Sequence, residues 1–488
     1  MSEGKPKKGR VMEEEVDLFN YLPDVLLISI ISLLPGMEGV RTSVLSKRWE
    51  SLWKYSSHLG FSQLQMLKSM VEEDEVLDLI AEASILIKSI MENHIGVLKS
   101  CSFQHLGVSS RNGDVVGWLK KLLEKGVVEV SMECESDDYL HKKTNMTSRD
   151  VSSTLTLPFH VFSSFKILEL KNYNFKTIPT PNPQQILKTL ILNKVSIVSN
   201  CFQRIISHCL FLENLTLEKC TFTRDRIKFV SPSLRYIKIC HLKASMILVS
   251  AINAEVIEIN SIVCGYEDMV FKTPKLHVLC AYNDVKSLEQ NFSAYENRLL
   301  TSRDIIGICG GILCRRGSSM GTILKNLVTL SLDLDLDNKR NTVAISFALK
   351  SCLQLKNLQI NNQVNWDCSD GIDDQNGIDC LPYSGGLFWP KREPCECVSQ
   401  NLKYFCIKGY KGGEFEVEFV KYLILNGGVI ENITIWFLDD CSWVKAVATI
   451  CLLSYPRISS KLSIHLKPGQ KYIREHGGSF EKWVRTLK

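Results

Sequence analysis

From Phe165 onward one loose spacing of apolar residues, L-x-x-L-x-L, keeps returning. It reads "FKILEL" at Phe165, "LKTLIL" at Leu187, "LENLTL" at Leu212, "LRYIKI" at Leu234, "AEVIEI" at Ala254 and "LHVLCA" at Leu276. The intervals are 22, 25, 22, 20 and 22 residues. Further copies begin at Leu327, Leu355, Leu402 and Ile430, after gaps of 51, 28, 47 and 28. Within each copy apolar and polar residues alternate, which is the period of a strand with one buried face. The two long gaps predict a degenerate unit or an inserted loop in each. Between copies the period changes: in "SNCFQRIISHC" the residues Phe202, Ile205, Ile206 and Cys209 share one helical face.

One strand per unit of 20 to 29 residues, stacked in parallel, predicts a leucine-rich-repeat solenoid with connecting helices or loops and an exposed strand face. Outward positions on that face include Glu169, Glu218, Lys238 and Glu258, the candidate partner-binding residues. Upstream, "VEEDEVLDLIAEASILIKSIM" and "DVVGWLKKLLEKG" have helical patterns, while "SFQHLGVS" and "VVEVSME" alternate as strands. Together they predict a helical cap and the start of the solenoid. Near the C-terminus, Gly409, Gly412 and Gly413 predict a turn between a strand and a helix from about Glu416 to Leu425.

The N-terminal pattern differs again. From Val25 to Leu34 the chain is apolar nearly all round. Pro23 and Asp24 suit a helix start, and Pro35 with Gly36 its stop. Leu26, Ile30, Leu33 and Leu34 form one face of that helix, with Val25, Ile28 and Ile31 on others. A second short helix is expected from about Glu38 to Leu45, and a third brings Trp49, Leu52 and Trp53 together. Three helices in about 32 residues bury too little to stand alone. The surplus apolar surface packs on the rest of the chain or on a partner.

Composition narrows the options. The chain is 45% hydrophobic and 23% charged with a net charge of +5, and its basic residues are interspersed with acidic ones, so nucleic acid is not indicated. The short basic run "KPKKGR" reads as a solvated tail rather than an import signal. The start lacks a signal-peptide pattern, because Met12 to Asp17 is acidic, and an intracellular setting, cytoplasmic or nuclear, is expected. The Val25 to Leu34 run is short of the roughly 20 residues that span a bilayer, so no membrane partner is expected. Eighteen cysteines then act as small buried residues.

Catalytic and metal patterns are weak. Cys368, Cys380, Cys395 and Cys397 are spaced C-x11-C-x14-C-x-C, without the C-x2-C pairs of zinc sites. "GSSMG", Gly317 to Gly321, fits G-x-S-x-G but follows the polar "CRRG" and leads into a strand, opposite to a nucleophile elbow. "SLDLDLD" alternates Leu332, Leu334 and Leu336 with Asp333, Asp335 and Asp337 and lacks the Gly and distal Glu of a calcium loop. No enzyme activity, cofactor or metal is expected.

Two of these segments resemble known families. "LPDVLLISIISLL" followed by "VRTSVLSKRWESLW" resembles the F-box of plant proteins that also carry leucine-rich repeats, and the stretch from Trp389 to "LSIHL" resembles the FBD domain that closes such chains. Val25 stands where an acidic residue is usual in that family. The resemblance implies an α/β chain divided into a tail (1–17), an F-box (18–61), a helical cap and solenoid start (62–150), leucine-rich repeats (151–385) and an FBD-like C-terminal region (386–470). It also implies docking on a Skp-type adaptor, and through it on cullin and RING subunits, by Leu22, Pro23, Ile30, Leu33, Leu34, Val44, Leu45 and Trp49, with Val40 and Trp53 in the core. The implied role is the substrate receptor of an SCF-type ubiquitin ligase acting on an unknown protein. A binding scaffold with a weakened F-box, and a receptor that needs a small ligand, are the alternatives.

Overall fold

The computed structural model describes residues 18–34, 37–69, 76–135, 164–175, 186–223, 226–264, 269–282, 299–300, 324–362, 389, 394–439 and 441–469. The predicted tail, the Pro35–Gly36 helix stop, "GSSMG", Cys368 and Cys380 lie outside them. Two compact units divide the chain, Met1–Ser152 and Ser153–Lys488.

The first unit begins with a 3-10 turn, Leu18–Tyr21, and the helix Asp24–Ile31. That helix ends sooner than its apolar run suggests. Ser32 closes it by donating from Oγ to the Ile28 carbonyl and accepting from the Ser57 amide, and the Leu33 and Leu34 amides bond three residues back, to Ile30 and Ile31, in tighter turns. The second predicted helix is a single turn, Glu38–Arg41, running into a 3-10 turn, Thr42–Val44, and the third, Trp49–Tyr55, is 3-10 throughout. Directly after it come three parallel strands in order, β1 (His58–Ser62), β2 (Ser100–Leu106) and β3 (Glu129–Glu135). Helices Gln63–Ser69, Val76–Asn93, Gly107–Arg111 and Asp114–Glu124 lie between and beside them. Phe61, Phe103 and Trp118 stack in series, with ring centroids 5.3 and 5.4 Å apart. The amides of Ile95 and Gly96 donate to the Lys54 carbonyl at 2.8 and 2.9 Å, tying the end of the 3-10 helix to this ladder.

In the second unit every predicted repeat is a strand. The ladder strands are β4 (Ile167–Lys171), β6 (Thr189–Asn193), β8 (Asn214–Glu218), β11 (Tyr236–Lys243), β13 (Val256–Val263) and β15 (Val278–Tyr282), continued by β17 (Thr329–Asp333), β18 (Asn357–Asn361), β19 (Tyr404–Tyr410), β20 (Asn432–Phe437) and β21 (Ser463–Lys467). All pair in parallel with their ladder neighbours, and their alternate residues, such as Leu168, Leu190, Leu215, Ile237 and Ile257, are buried. β15 pairs directly with β17 and β18 directly with β19, so the two long gaps are insertions and not ladder units.

The connecting segments add what the leucine pattern did not predict. Short strands β5 (Asn174–Phe175), β7 (Ser196–Ile197) and β9 (Thr221–Phe222) form one small parallel sheet, and β10 (Arg226–Val230), β12 (Met246–Ser250) and β14 (Met269–Lys272) another. In the latter, Ile227, Phe229, Ile247, Val249, Met269 and Phe271 are buried at every second position. β16 (Leu299–Leu300) pairs antiparallel with the end of β13. Elsewhere helices make the return: Ser199–His208, Lys339–Ser351, Glu414–Asn426 and Trp443–Ile450. Cys209 and Cys352 close two of these helices and are buried; twelve of the fourteen described cysteines are, which makes them core filler.

Directly after β4, β6 and β8, Asn172, Lys194 and Lys219 take a left-handed conformation, as do His241 within β11 and Ser261 within β13, with φ between 51° and 62°. A non-glycine residue there costs about 1–2 kcal/mol. Part of the cost is recovered because the amide continues the ladder, as in Lys194 to the Glu218 carbonyl at 2.8 Å. Within β19, where the register shifts between Lys408 and Tyr410, the sequence uses Gly409 (φ 75°), and a Cβ there would sit 2.3 Å from the Asn362 carbonyl oxygen. Only glycine fits.

Candidate functional site

The N-terminal helices sort their apolar residues into two sets. Leu27, Ile31, Met37, Trp49, Leu52 and Trp53 are buried. Pro23, Val25, Leu26, Leu33, Val44 and Leu45 are exposed, Leu33 and Val44 each at 85%. Leu22, Ile30, Leu34 and Val40 are half-buried. Trp49 packs edge-on against Phe19 with centroids 6.1 Å apart, so its ring belongs to the packed side. The helix periodicity did not single out Leu27, because in an all-round apolar helix the buried face cannot be told from spacing.

Arg48 organises this module. Its Nη2 and Nε lie 2.7 and 2.9 Å from Asp24 Oδ1, and Nη2 also donates to the Leu22 carbonyl. The segment ahead of the helix is thereby held beside the third helix. The signal in the sequence was an acid at a helix start and an arginine beside Trp49, but nothing in their spacing paired them.

On the solenoid, Glu169, Lys238 and Glu258 occupy one row across β4 to β13, with Ile191 and Thr216 between them, and Glu218 lies in the next row opposite Asn193 and Cys240. All four predicted positions are half-buried and alternate with core residues. Lys238 Nζ is 3.8 Å from Glu258 Oε2. Asparagine-to-threonine rungs repeat along the row nearest the strand starts: Asn214 Nδ2 to Thr189 Oγ1 at 3.1 Å and Asn357 Nδ2 to Thr329 Oγ1 at 2.9 Å.

The aspartates of "SLDLDLD" do not share one strand face. The strand ends at Asp333, which accepts from Asn361 Nδ2 at 2.8 Å. Asp335 accepts from Lys411 Nζ at 3.3 Å, and the Asp337 carboxylate lies where a Cβ on Gly413 would be. Beside them Glu416 is fully buried, accepting from the amides of Lys411 (2.9 Å) and Gly413 (3.0 Å) and from Asn362 Nδ2. Burial, together with the nearby Asp337 charge, pushes its carboxyl up to about 7 against those hydrogen bonds. These contacts close the turn before the helix Glu414–Asn426. Cys397, of the zinc candidates, donates to the Leu349 carbonyl, and burial pushes its thiol up to about 12, away from the thiolate a metal needs. Among the described residues no group of three or more side chains is arranged to hold a metal ion, and no helix is long and apolar enough to cross a membrane.

Three stretches match known protein families. Residues 19–59 match the F-box domain, 115–293 the leucine-rich repeats of the FBD-associated F-box protein At5g56370, and 390–435 the FBD. The F-box protein At1g80960 of Arabidopsis thaliana is 25% identical over 449 residues, 87% of this chain and 85% of the relative. Two FBD-associated F-box proteins of the same plant are also similar: At5g56370, 28% identical over 55% of this chain and 61% of its own length, and At5g38590, 24% identical over 87% and 95%. The chain thus carries an F-box domain, leucine-rich repeats and an FBD in this order, and it is similar to plant F-box proteins of the FBD-associated kind.

Proposed function

We propose that the chain is the substrate receptor of an SCF-type ubiquitin ligase. The observation that carries this is the exposed apolar set on a module that already has its own core: Val25, Leu33, Val44 and Leu45 face solvent while Leu27 and Ile31 are buried. Burying one such side chain is worth about 1.5–3 kcal/mol, so a partner that covers several gains a stable interface. A Skp-type adaptor is that partner, and Leu22, Pro23, Ile30, Leu34 and Trp49 shape or back the surface it meets.

Cullin and RING subunits follow through the adaptor, and the repeat surface, with Glu169, Glu218, Lys238 and Glu258 among its outward groups, holds the protein to be modified. The receptor contributes proximity, making ubiquitin transfer effectively intramolecular, and no covalent chemistry of its own. The expected setting is intracellular. Reconstitution with adaptor, cullin, RING subunit and ubiquitin carrier tests the reading: proteins captured by the repeat unit gain ubiquitin with the intact chain, and a chain with a disabled F-box captures them without modifying them. Equal modification by both chains would refute it.

A further inference from the structure

Charge is unevenly distributed along the strand face of the second unit. From β4 to β17 the outward positions include Glu169, Glu218, Glu258 and Asp333 beside Lys171 and Lys238. On β19, β20 and β21 they are Tyr404, Cys406, Lys408, Asn432, Thr434, Trp436, Ser463, His465 and Lys467, without a carboxylate. Lys408 stands opposite Trp436, and Trp436 opposite Lys467, in one row across the three strands. Lys467 Nζ lies 4.6 Å from the indole centroid. Cys406, one step along the same face, has its thiol pushed up by burial, against the opposing charges of Lys408 and Lys467.

The carboxylates nearest these strands are engaged or lie past their ends. Glu431, just before β20, accepts from Lys403 Nζ and Tyr404 Oη, both at 2.9 Å. Asp335 is taken by Lys411, and Asp439 follows the end of β20. Among the described residues neither Lys408 nor Lys467 has a carboxylate partner. Lys467 and His465 are exposed, Lys408 and Trp436 are half-buried, and Trp436 stands between the two lysines in the row.

We propose that this row binds an acidic peptide segment, with Lys408 and Lys467 each taking a carboxylate and the Trp436 ring supporting the residue between. Strands lie about 4.8 Å apart, so the outer two positions are roughly 10 Å from each other, and an extended peptide rising about 3.3 Å per residue spans them with acids about three residues apart. Charge complementarity selects an acidic partner, and its short reach selects a peptide. A nucleic-acid strand continuing along the face would meet Asp333 and Glu258, whereas a peptide crossing three strands does not. The peptide's origin, a segment of the protein to be ubiquitinated, rests on the receptor reading; the binding does not.

The test uses the full chain with its adaptor and fluorescein-labelled peptides, one rich in Glu and one rich in Lys, read by anisotropy. The Glu-rich peptide is expected to bind more tightly, to weaken with added salt, and to lose about tenfold or more in affinity, about 1.4 kcal/mol, with Lys408→Glu/Lys467→Glu and with Trp436→Ala. Lys408→Gln/Lys467→Gln removes the charges without reversal and should weaken binding at an unchanged melting temperature. Equal binding of the two peptides, undiminished binding by the variants, or tighter binding of a single-stranded oligonucleotide would overturn the proposal. Adaptor co-elution of the same variants is unaffected if only this site fails; loss of adaptor binding by the unaltered chain, with peptide binding kept, would sink the receptor reading alone.

Discussion

Arg48 lays its guanidinium against Asp24, with Nη2 2.7 Å from Oδ1, across 24 residues of sequence. The pair is partly exposed, so the charges alone contribute no more than about 1 kcal/mol. Its structural effect is larger, because the same guanidinium holds the Leu22 carbonyl and so fixes Leu22 and Pro23 at the start of the helix. Arg48→Ala should lower stability by about 1 kcal/mol and weaken adaptor binding disproportionately. Arg48→Lys should restore little, since an ammonium cannot reproduce the fork of donors. Melting curves and adaptor affinity, measured on the same samples, separate the two effects.

Gly409 is predicted to be irreplaceable for steric reasons. A methyl group there meets the Asn362 carbonyl at 2.3 Å, in a backbone conformation already unfavourable for other residues. Gly409→Ala should cost about 1–3 kcal/mol. Gly113→Ala, also at positive φ but with nothing within 4 Å, supplies the comparison. It should cost less by the amount that the clash contributes, as urea titrations of both variants would show.

Glu416 predicts a pH dependence with a definite sign. Its folded-state carboxyl titrates at about 7 instead of 4.5, raised by burial. A carboxyl that holds its proton more tightly when folded contributes stability at low pH and loses it as pH rises from the unfolded value through the folded one. The chain should therefore lose stability between about pH 4.5 and 7 at this site. In Glu416→Gln that part of the slope should vanish. Denaturant midpoints at pH 5 and pH 8 measure the difference; a parallel slope in the variant would show that Glu416 does not titrate there.

The ladder was legible because each unit repeats the same burial geometry, and ten strands fall two residues after the leading residue of each copy. β21 belongs to the same series but carries Lys461 at that leading place, where other copies have an apolar residue, so the pattern breaks although Ile464 and Leu466 keep register with Ile433 and Ile435. The sheet of β10, β12 and β14 was invisible to a search for leucines, since its buried residues are Ile, Val, Phe and Met in segments between copies. Among the docking candidates, Leu33, Val44 and Leu45 are exposed while Trp49 is packed, a distinction set by the contact with Phe19. The row of Lys408, Trp436 and Lys467 exists only through strand register: the three are 28 and 31 residues apart and share no motif.

The central claim is that the exposed apolar residues of the N-terminal module bind a Skp-type adaptor while its buried ones hold the fold. Titration of the purified full chain with adaptor, for the unaltered protein, Leu33→Asp/Val44→Asp and Leu27→Ala, tests it directly. The surface pair should abolish binding and leave the melting temperature unchanged, because both side chains are 85% exposed; Leu27→Ala should destabilise the module by about 2–5 kcal/mol. Adaptor binding by the surface variant at full affinity, or a folded unaltered chain that binds no adaptor, would contradict the account.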